Sequence, residues 1–181
     1  DAYHLAAQIL GGDFTARLND RLRVKEGLTY GARFKTQYDD RVPGMGYVST
    51  YTTPKEVPRA IKITLAELKR LREQEINPTE MQVIQRRISQ GFVFRFETAS
   101  STLSEHLDLW QEQLSLKRLA SYPDRIGKLT VPDLKPVLNH FPLENMVIVI
   151  VGNEAMKEDI AKLAEELGAE FQFSGLDVLG I

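Results

Sequence analysis

The sequence predicts an α+β fold, a largely antiparallel sheet with helices packed on it. Three observations carry that reading. Leu28 to Tyr38 alternates apolar and polar residues, and a turn from Asp39-Asp40 to Pro43-Gly44 joins it to the β-forming stretch Tyr47 to Thr52. Thr53-Pro54 and Asn77-Pro78 then open two amphipathic helices in succession. Met146 to Val151 is an unbroken apolar run ending at Gly152, followed by a helical pattern.

Each element has its own local justification. Leu5 and Ile9 give Asp1 to Leu10 one apolar face, so a helix is expected there, ending at Gly11-Gly12. Phe14, Leu18 and Leu22 recur every four residues, which predicts a second helix stopped by Gly27. In the first strand, Leu28, Tyr30, Ala32 and Phe34 are assigned to one side, and Thr29, Arg33, Lys35 and Gln37 to the other. Thr53 caps the next helix, with Glu56 placed to close a capping box, and Val57, Ile61, Leu65, Leu68 and Leu71 form its apolar stripe. Asn77, Pro78 and Glu80 repeat the start signal before the stripe Met81, Ile84, Ile88 and Phe92. Ser100 to Leu116 reads as a helix with Leu103, Leu107, Trp110 and Leu114 facing inward. Tyr122 to Leu129 and Val131 to Asn139 read as short helices, the latter capped by Thr130. Met146 to Val151 is expected as a central strand, Met156 to Leu167 as a helix stopped by Gly168, and Glu170 to Phe173 as an edge strand.

Composition narrows the function. The 181 residues suit one compact domain, 1–181, without internal repeats or a linker. A formal net charge of −2 supplies no field that draws the chain to nucleic acid or anionic lipid. The absence of cysteine excludes disulfides, thiolate zinc sites and thiol nucleophiles. The longest apolar run, Met146 to Val151, is too short to span a bilayer. The chain opens on Asp1 and enters helical periodicity almost at once, so it reads as part of a longer protein.

Free-standing hydrolytic chemistry is missing. His4, His106 and His140 form neither His-x-x-Glu-His nor its inverse, and each reads as a surface or cap histidine. There is no Gly-x-Ser-x-Gly elbow. Gly11-Gly12 lacks the Lys and Ser/Thr of a phosphate loop, and Val151-Gly152-Asn153 reads as a plain strand-to-helix turn. The basic residues from Arg17 to Arg33 are interrupted by Asp20 and Glu26 and have no interleaved aromatics, unlike a nucleic-acid groove. The most telling stretch is Leu22 to Gly31, which places the Arg23 guanidinium and the Tyr30 phenol seven residues apart across Gly27. Taken alone, Arg23 is a helix-end cation complementing the dipole, and Tyr30 packs its ring with a wet hydroxyl.

The order of features resembles a known family. Leu10-Gly11-Gly12, then Phe14-Thr15-Ala16-Arg17-Leu18, then Leu22-Arg23 with Gly27-Leu28-Thr29-Tyr30, resembles the metal-free C-terminal domain of the pitrilysin/insulinase zinc peptidases. Mitochondrial processing peptidase and many bacterial zinc proteases belong to that group. Asn77-Pro78-Thr79-Glu80, Leu129-Thr130-Val131-Pro132-Asp133 and Met146 to Gly152 agree, so the resemblance covers nearly the whole chain. It implies that residues 1–181 are the metal-free half of a two-domain or two-subunit peptidase. Zn2+ would sit on a homologous partner domain or subunit, and this chain would hold neither metal nor other cofactor. Arg23 and Tyr30 match the family's two peptide-facing positions: the first would hold a substrate carbonyl, and the second would donate to the oxyanion. The substrate would be an extended peptide, in a bacterial periplasm or cytoplasm, with neither nucleic acid nor membrane as partner and with self-association open to the isolated piece. Val24 and Thr29 depart from the usual pattern, which is acidic after the Arg and small and apolar before the Tyr. The resemblance also leaves a non-catalytic reading, a structural or assembly module of the same fold. A peptide-binding domain using an exposed strand edge is a third.

Overall fold

A computed structural model of the chain describes residues 1–39, 42–73, 76–139, 141, 143 and 145–175. The first helix, α1 (Ala2–Gly11), is apolar on most sides and buries Leu5, Ala6, Ala7, Ile9, Leu10 and Gly11. It packs on β1 (Ala32–Asp39), α2 (Arg17–Asn19), α3 (Val57–Glu73), α4 (Pro78–Gly91) and α8 (Val131–Leu138). It ends at Gly11-Gly12 as the sequence predicts, but Gly11 does more than end it. A Cβ at Gly11 would stand 2.4 Å from the backbone nitrogen of Phe34. Glycine therefore lets the helix backbone lie directly on the strand. Phe141, fully buried, fills the adjoining space with ring centroids 4.9 Å from Tyr3 and 5.3 Å from Phe34.

β1 pairs antiparallel with β2 (Val42–Thr50), from Ala32↔Thr50 to Asp39↔Val42, with an irregularity between Gln37 and Asp39. Ala32 and Phe34 face α1, while Arg33 and Lys35 are exposed, as the alternation requires. Tyr30 departs from it. The strand begins only at Ala32, because Leu28 to Gly31 forms a bend, and Tyr30 is 81% exposed. A two-stranded ribbon is marginal on its own, so the cover that α1 gives its apolar face is what holds it.

The fold is α+β as expected, with its antiparallel sheet confined to these two strands among the described residues. Met146–Val151 and Glu170–Phe173, expected as central and edge strands, form no regular element and pair with no strand there. Val147, Val149 and Val151 stand open to solvent. The apolar run marks a segment built for burial, and no described strand supplies the cover.

The helices follow their local signals with three differences. Asn77 caps α4 by accepting the Thr79 N–H at 2.8 Å. Thr130 and Asp133 close a capping box on α8, whose two hydrogen bonds from Thr130 hold the Asp133 carboxyl below its ordinary range. α9 (Lys157–Leu167) stops at Gly168, at a left-handed φ of 63°. At Thr53, however, the expected capping box is absent. Pro54–Glu56 forms a 3-10 turn, and Glu56 lies 3.6 Å from Arg59 instead. The expected helix over Phe14 to Leu22 begins only at Arg17 and widens into π-type turns over Asp20–Lys25. The expected helix from Ser100 to Leu116 is split into α5 (Ala99–Gln111) and α6 (Leu116–Ala120), with Gln113 left-handed between them. No residue of α5 is buried, and Leu103, Leu107, Trp110 and Leu114 face outward rather than inward. α7 (Tyr122–Lys128) then packs on α4. Among the described residues no helix is long and apolar enough to cross a membrane.

Gly11→Ala is expected to lower stability by about 1–3 kcal/mol, because the strand must move away from the helix. Gly127→Ala, in a helix with nothing within 4 Å of the added methyl, is expected to be neutral or to stabilise. Urea midpoints at constant slope measure both.

Candidate functional site

The bend that carries Tyr30 is built from backbone groups pinned by side chains far away in sequence. Gly27 takes a left-handed φ of 63°, ending the π-type turns, and the Leu28 N–H donates to the Leu22 carbonyl at 2.8 Å. Buried Leu28 anchors the bend in the core. The Thr29 hydroxyl accepts the Gly31 N–H at 3.1 Å, and the Thr50 hydroxyl on β2 reaches the Gly31 carbonyl at 3.0 Å. The Thr52 hydroxyl donates to the Leu28 carbonyl at 2.6 Å. Asn19, buried, closes the other side. Its Oδ1 accepts the Ala32 N–H at 2.9 Å, and its Nδ2 donates to the Asp13 carbonyl at 2.6 Å. Between these fixed points the Tyr30 phenol projects into solvent.

Arg23 rides on the π-type segment before the bend. Its guanidinium carbon lies 4.0 Å from the centre of the Phe14 ring, a cation–π contact. Nearby carboxylates are committed elsewhere: Glu26 pairs with Arg21 at 3.0 Å and with Arg59 of α3, and Asp20 pairs with Lys25 at 2.7 Å. The positive charge of Arg23 thus rests on an aromatic face, not on an acid. No described contact joins Arg23 to Tyr30. The Thr29 departure noted in the sequence acquires a role as a latch of the bend.

Residues 1–88, which include the whole of this arrangement, match the family model of the peptidase M16 inactive domain. The solved structure of a peptidase M16 inactive domain from Pseudomonas fluorescens is similar at a TM-score of 0.67 and 22% identity, over 77% of this chain and 33% of that one. A protease from Helicobacter pylori matches at 0.66 and 22%, over the same shares of the two chains. A conserved protein from Enterococcus faecalis V583 matches at 0.61 and 24%, again over 77% and 33%. The chain has the fold of the pitrilysin-type inactive domain. It spans about a third of the length of these solved relatives. No curated protein sequence matches it.

The hairpin that follows the bend has an exposed polar face. Arg33 pairs across with Ser49 and Lys35 with Tyr47, and all four are exposed. Tyr51, 65% exposed, follows on the same side of the alternation. Phenols and cations side by side offer donors to carbonyl oxygens. The sequence reading of Tyr47 to Thr52 as a β-forming stretch did not single out this face, although the alternation of Tyr47, Ser49 and Tyr51 is a signal for it; Asn19 carries none.

The histidines stand apart from the bend. His4 lies edge-on to Tyr122 at 6.1 Å, beside a cavity of about 660 Å³ bounded by α1, α4, α5 and α7. His4 is half-buried there, not on the surface as expected, and burial, more than the charge of Arg95, pushes its pKa below the ordinary histidine value. Burial likewise raises the Tyr122 phenol, against the opposing charges of Arg95 and Arg125. His106 is exposed, its Nδ1 2.7 Å from the Thr102 carbonyl, and His140 lies outside the described residues. Among the described residues no three His, Asp or Glu side chains converge to hold a metal ion.

Asn19→Ala is expected to cost about 1–3 kcal/mol in urea unfolding, since it strands the buried Ala32 N–H. Folding lowers the His4 pKa below the 6.5 of the unfolded chain, mainly through burial, so the unfolded chain binds that proton first as pH falls. Stability therefore falls as pH drops below that point. His4→Gln should flatten the decline between neutral and mildly acid pH in urea titrations. An unchanged slope would remove His4 as its cause.

Proposed function

We propose that this chain is the metal-free half of a zinc metalloendopeptidase acting on extended peptides. The observation that supports this best is Tyr30, a freely exposed phenol on a bend braced from both sides, with the carboxylate-free cation Arg23 on the segment leading into it. The zinc half is a homologous domain or subunit, in the same polypeptide or another, and the described residues here offer no ligand set for the ion. Zinc bound there would supply an activated water for hydrolysis.

The work of this chain is positioning and charge stabilisation. Arg23 exchanges its ring contact for a substrate carbonyl and so holds the peptide in place. Tyr30 donates its O–H to the scissile carbonyl oxygen, and that bond strengthens as negative charge collects there. A neutral donor fits the task, because it gains most where charge develops. The exposed Tyr47, Tyr51, Arg33 and Lys35 extend the same surface along the peptide.

A second reading, an assembly module without catalysis, has the outward apolar stripe of α5 in its favour. In the complete enzyme, Tyr30→Phe should lower kcat roughly 10²- to 10³-fold with zinc content and folding unchanged. Arg23→Ala should lower kcat/KM. Turnover within about twofold of wild type for both variants would favour the assembly module.

A further inference from the structure

The charged residues before the bend pair at an unusual spacing. Asp20 meets Lys25 at 2.7 Å and Arg21 meets Glu26 at 3.0 Å, each pair five residues apart. That spacing belongs to the π-type turns of Asp20–Lys25, where the Glu26 N–H donates to the Arg21 carbonyl, five residues back, at 3.1 Å. In an α-helix the neighbours on one face stand three and four residues apart. The same sequence would then place Arg23 between Asp20 and Glu26, an acid on either side, and Arg21 beside Lys25, like charge on like.

The wider turns exchange those partners. Each acid goes to a cation other than Arg23, and Glu26 also takes Arg59 of α3. Arg23 has no carboxylate partner among the described residues and lies over the Phe14 ring. A ring attracts a guanidinium through its positive charge and leaves the N–H donors unspent, whereas a carboxylate takes those donors in short, directed bonds. A guanidinium on a ring is therefore readily drawn to a new acceptor, and one paired with an acid is not.

We propose that the π-type register of Asp20–Lys25 and the Phe14 ring together keep Arg23 available to the peptide. Lys25 and Arg21 act by occupying the two acids that would capture Arg23, and Phe14 by giving it a resting place it can leave. All three are positioning residues. The inference rests on the reading of Arg23 as a peptide contact and adds how that contact stays open.

Steady-state kinetics of the complete enzyme test it. Lys25→Ala frees Asp20, three residues before Arg23, and should raise KM about three- to fivefold with kcat unchanged. Adding Asp20→Asn removes the trap and should restore KM. Phe14→Leu should raise KM by a similar factor, and Phe14→Trp, which keeps an aromatic face, should hold it near wild type. In an Arg23→Ala background, Lys25→Ala and Phe14→Leu should have no further effect, which a general loss of folding would not mimic. An unchanged KM in Lys25→Ala overturns the proposal, as does a raised KM that Asp20→Asn leaves uncorrected. Equal effects of Phe14→Leu with and without Arg23 overturn the part given to the ring. Silent Lys25 and Phe14 variants beside a damaging Arg23→Ala sink this inference alone. A silent Arg23→Ala removes the peptide contact itself, and the inference with it.

Discussion

The molecule is organised by how closely α1 approaches the hairpin. That approach exists only because Gly11 carries no side chain where Phe34 passes. With the helix backbone against the strand, Tyr3, Phe34 and Phe141 form a continuous aromatic contact, and α1 is enclosed on its other sides by α3, α4 and α8. A hairpin too small to persist alone becomes part of a core. Everything downstream, including the bend before β1, inherits its position from that contact.

The bend shows a second constraint, the need to satisfy buried backbone groups. Asn19 meets the first N–H of β1 and a carbonyl of the preceding turn with the two ends of one amide. Thr29, Thr50 and Thr52 take up the remaining groups of Leu28 and Gly31. The bend is rigid because its polar atoms have partners, and this rigidity leaves the Tyr30 side chain free to project. Arg23 is handled in the opposite way. Its charge is kept off the local acids, which Arg21, Arg59 and Lys25 occupy, and parked on Phe14.

How much of this the sequence disclosed depends on the range of the force involved. Asn77, Thr130 and Gly168 act within one helical turn, and each marks its boundary correctly. The α5 stripe was visible as a period, but a period says only that an apolar face exists, not what meets it. The same limit applies to Met146–Val151. The alternation runs on through Leu28 to Phe34 and so puts Tyr30 on the wrong side, while the bend is imposed by Asn19, Thr50 and Thr52. No local pattern links those residues. The spacing of Arg23 and Tyr30 across Gly27 is visible in the sequence, but only the family resemblance gives it a peptide-facing meaning, and the fold agrees with that resemblance.

Because Thr50 and Thr52 both hold the bend, the alignment of the two strands acts as a ruler for the phenol. The pairing of Ala32 with Thr50 sets where those hydroxyls fall. Sliding β2 by one full repeat of its side-chain alternation would carry them about 7 Å along the ribbon, beyond reach of Leu28 and Gly31. The hairpin could keep its hydrogen bonds in such a shifted state and still lose its grip on Tyr30. Strand alignment and phenol placement are therefore one degree of freedom, and the packing of Phe34 and Val48 under α1 is what locks it.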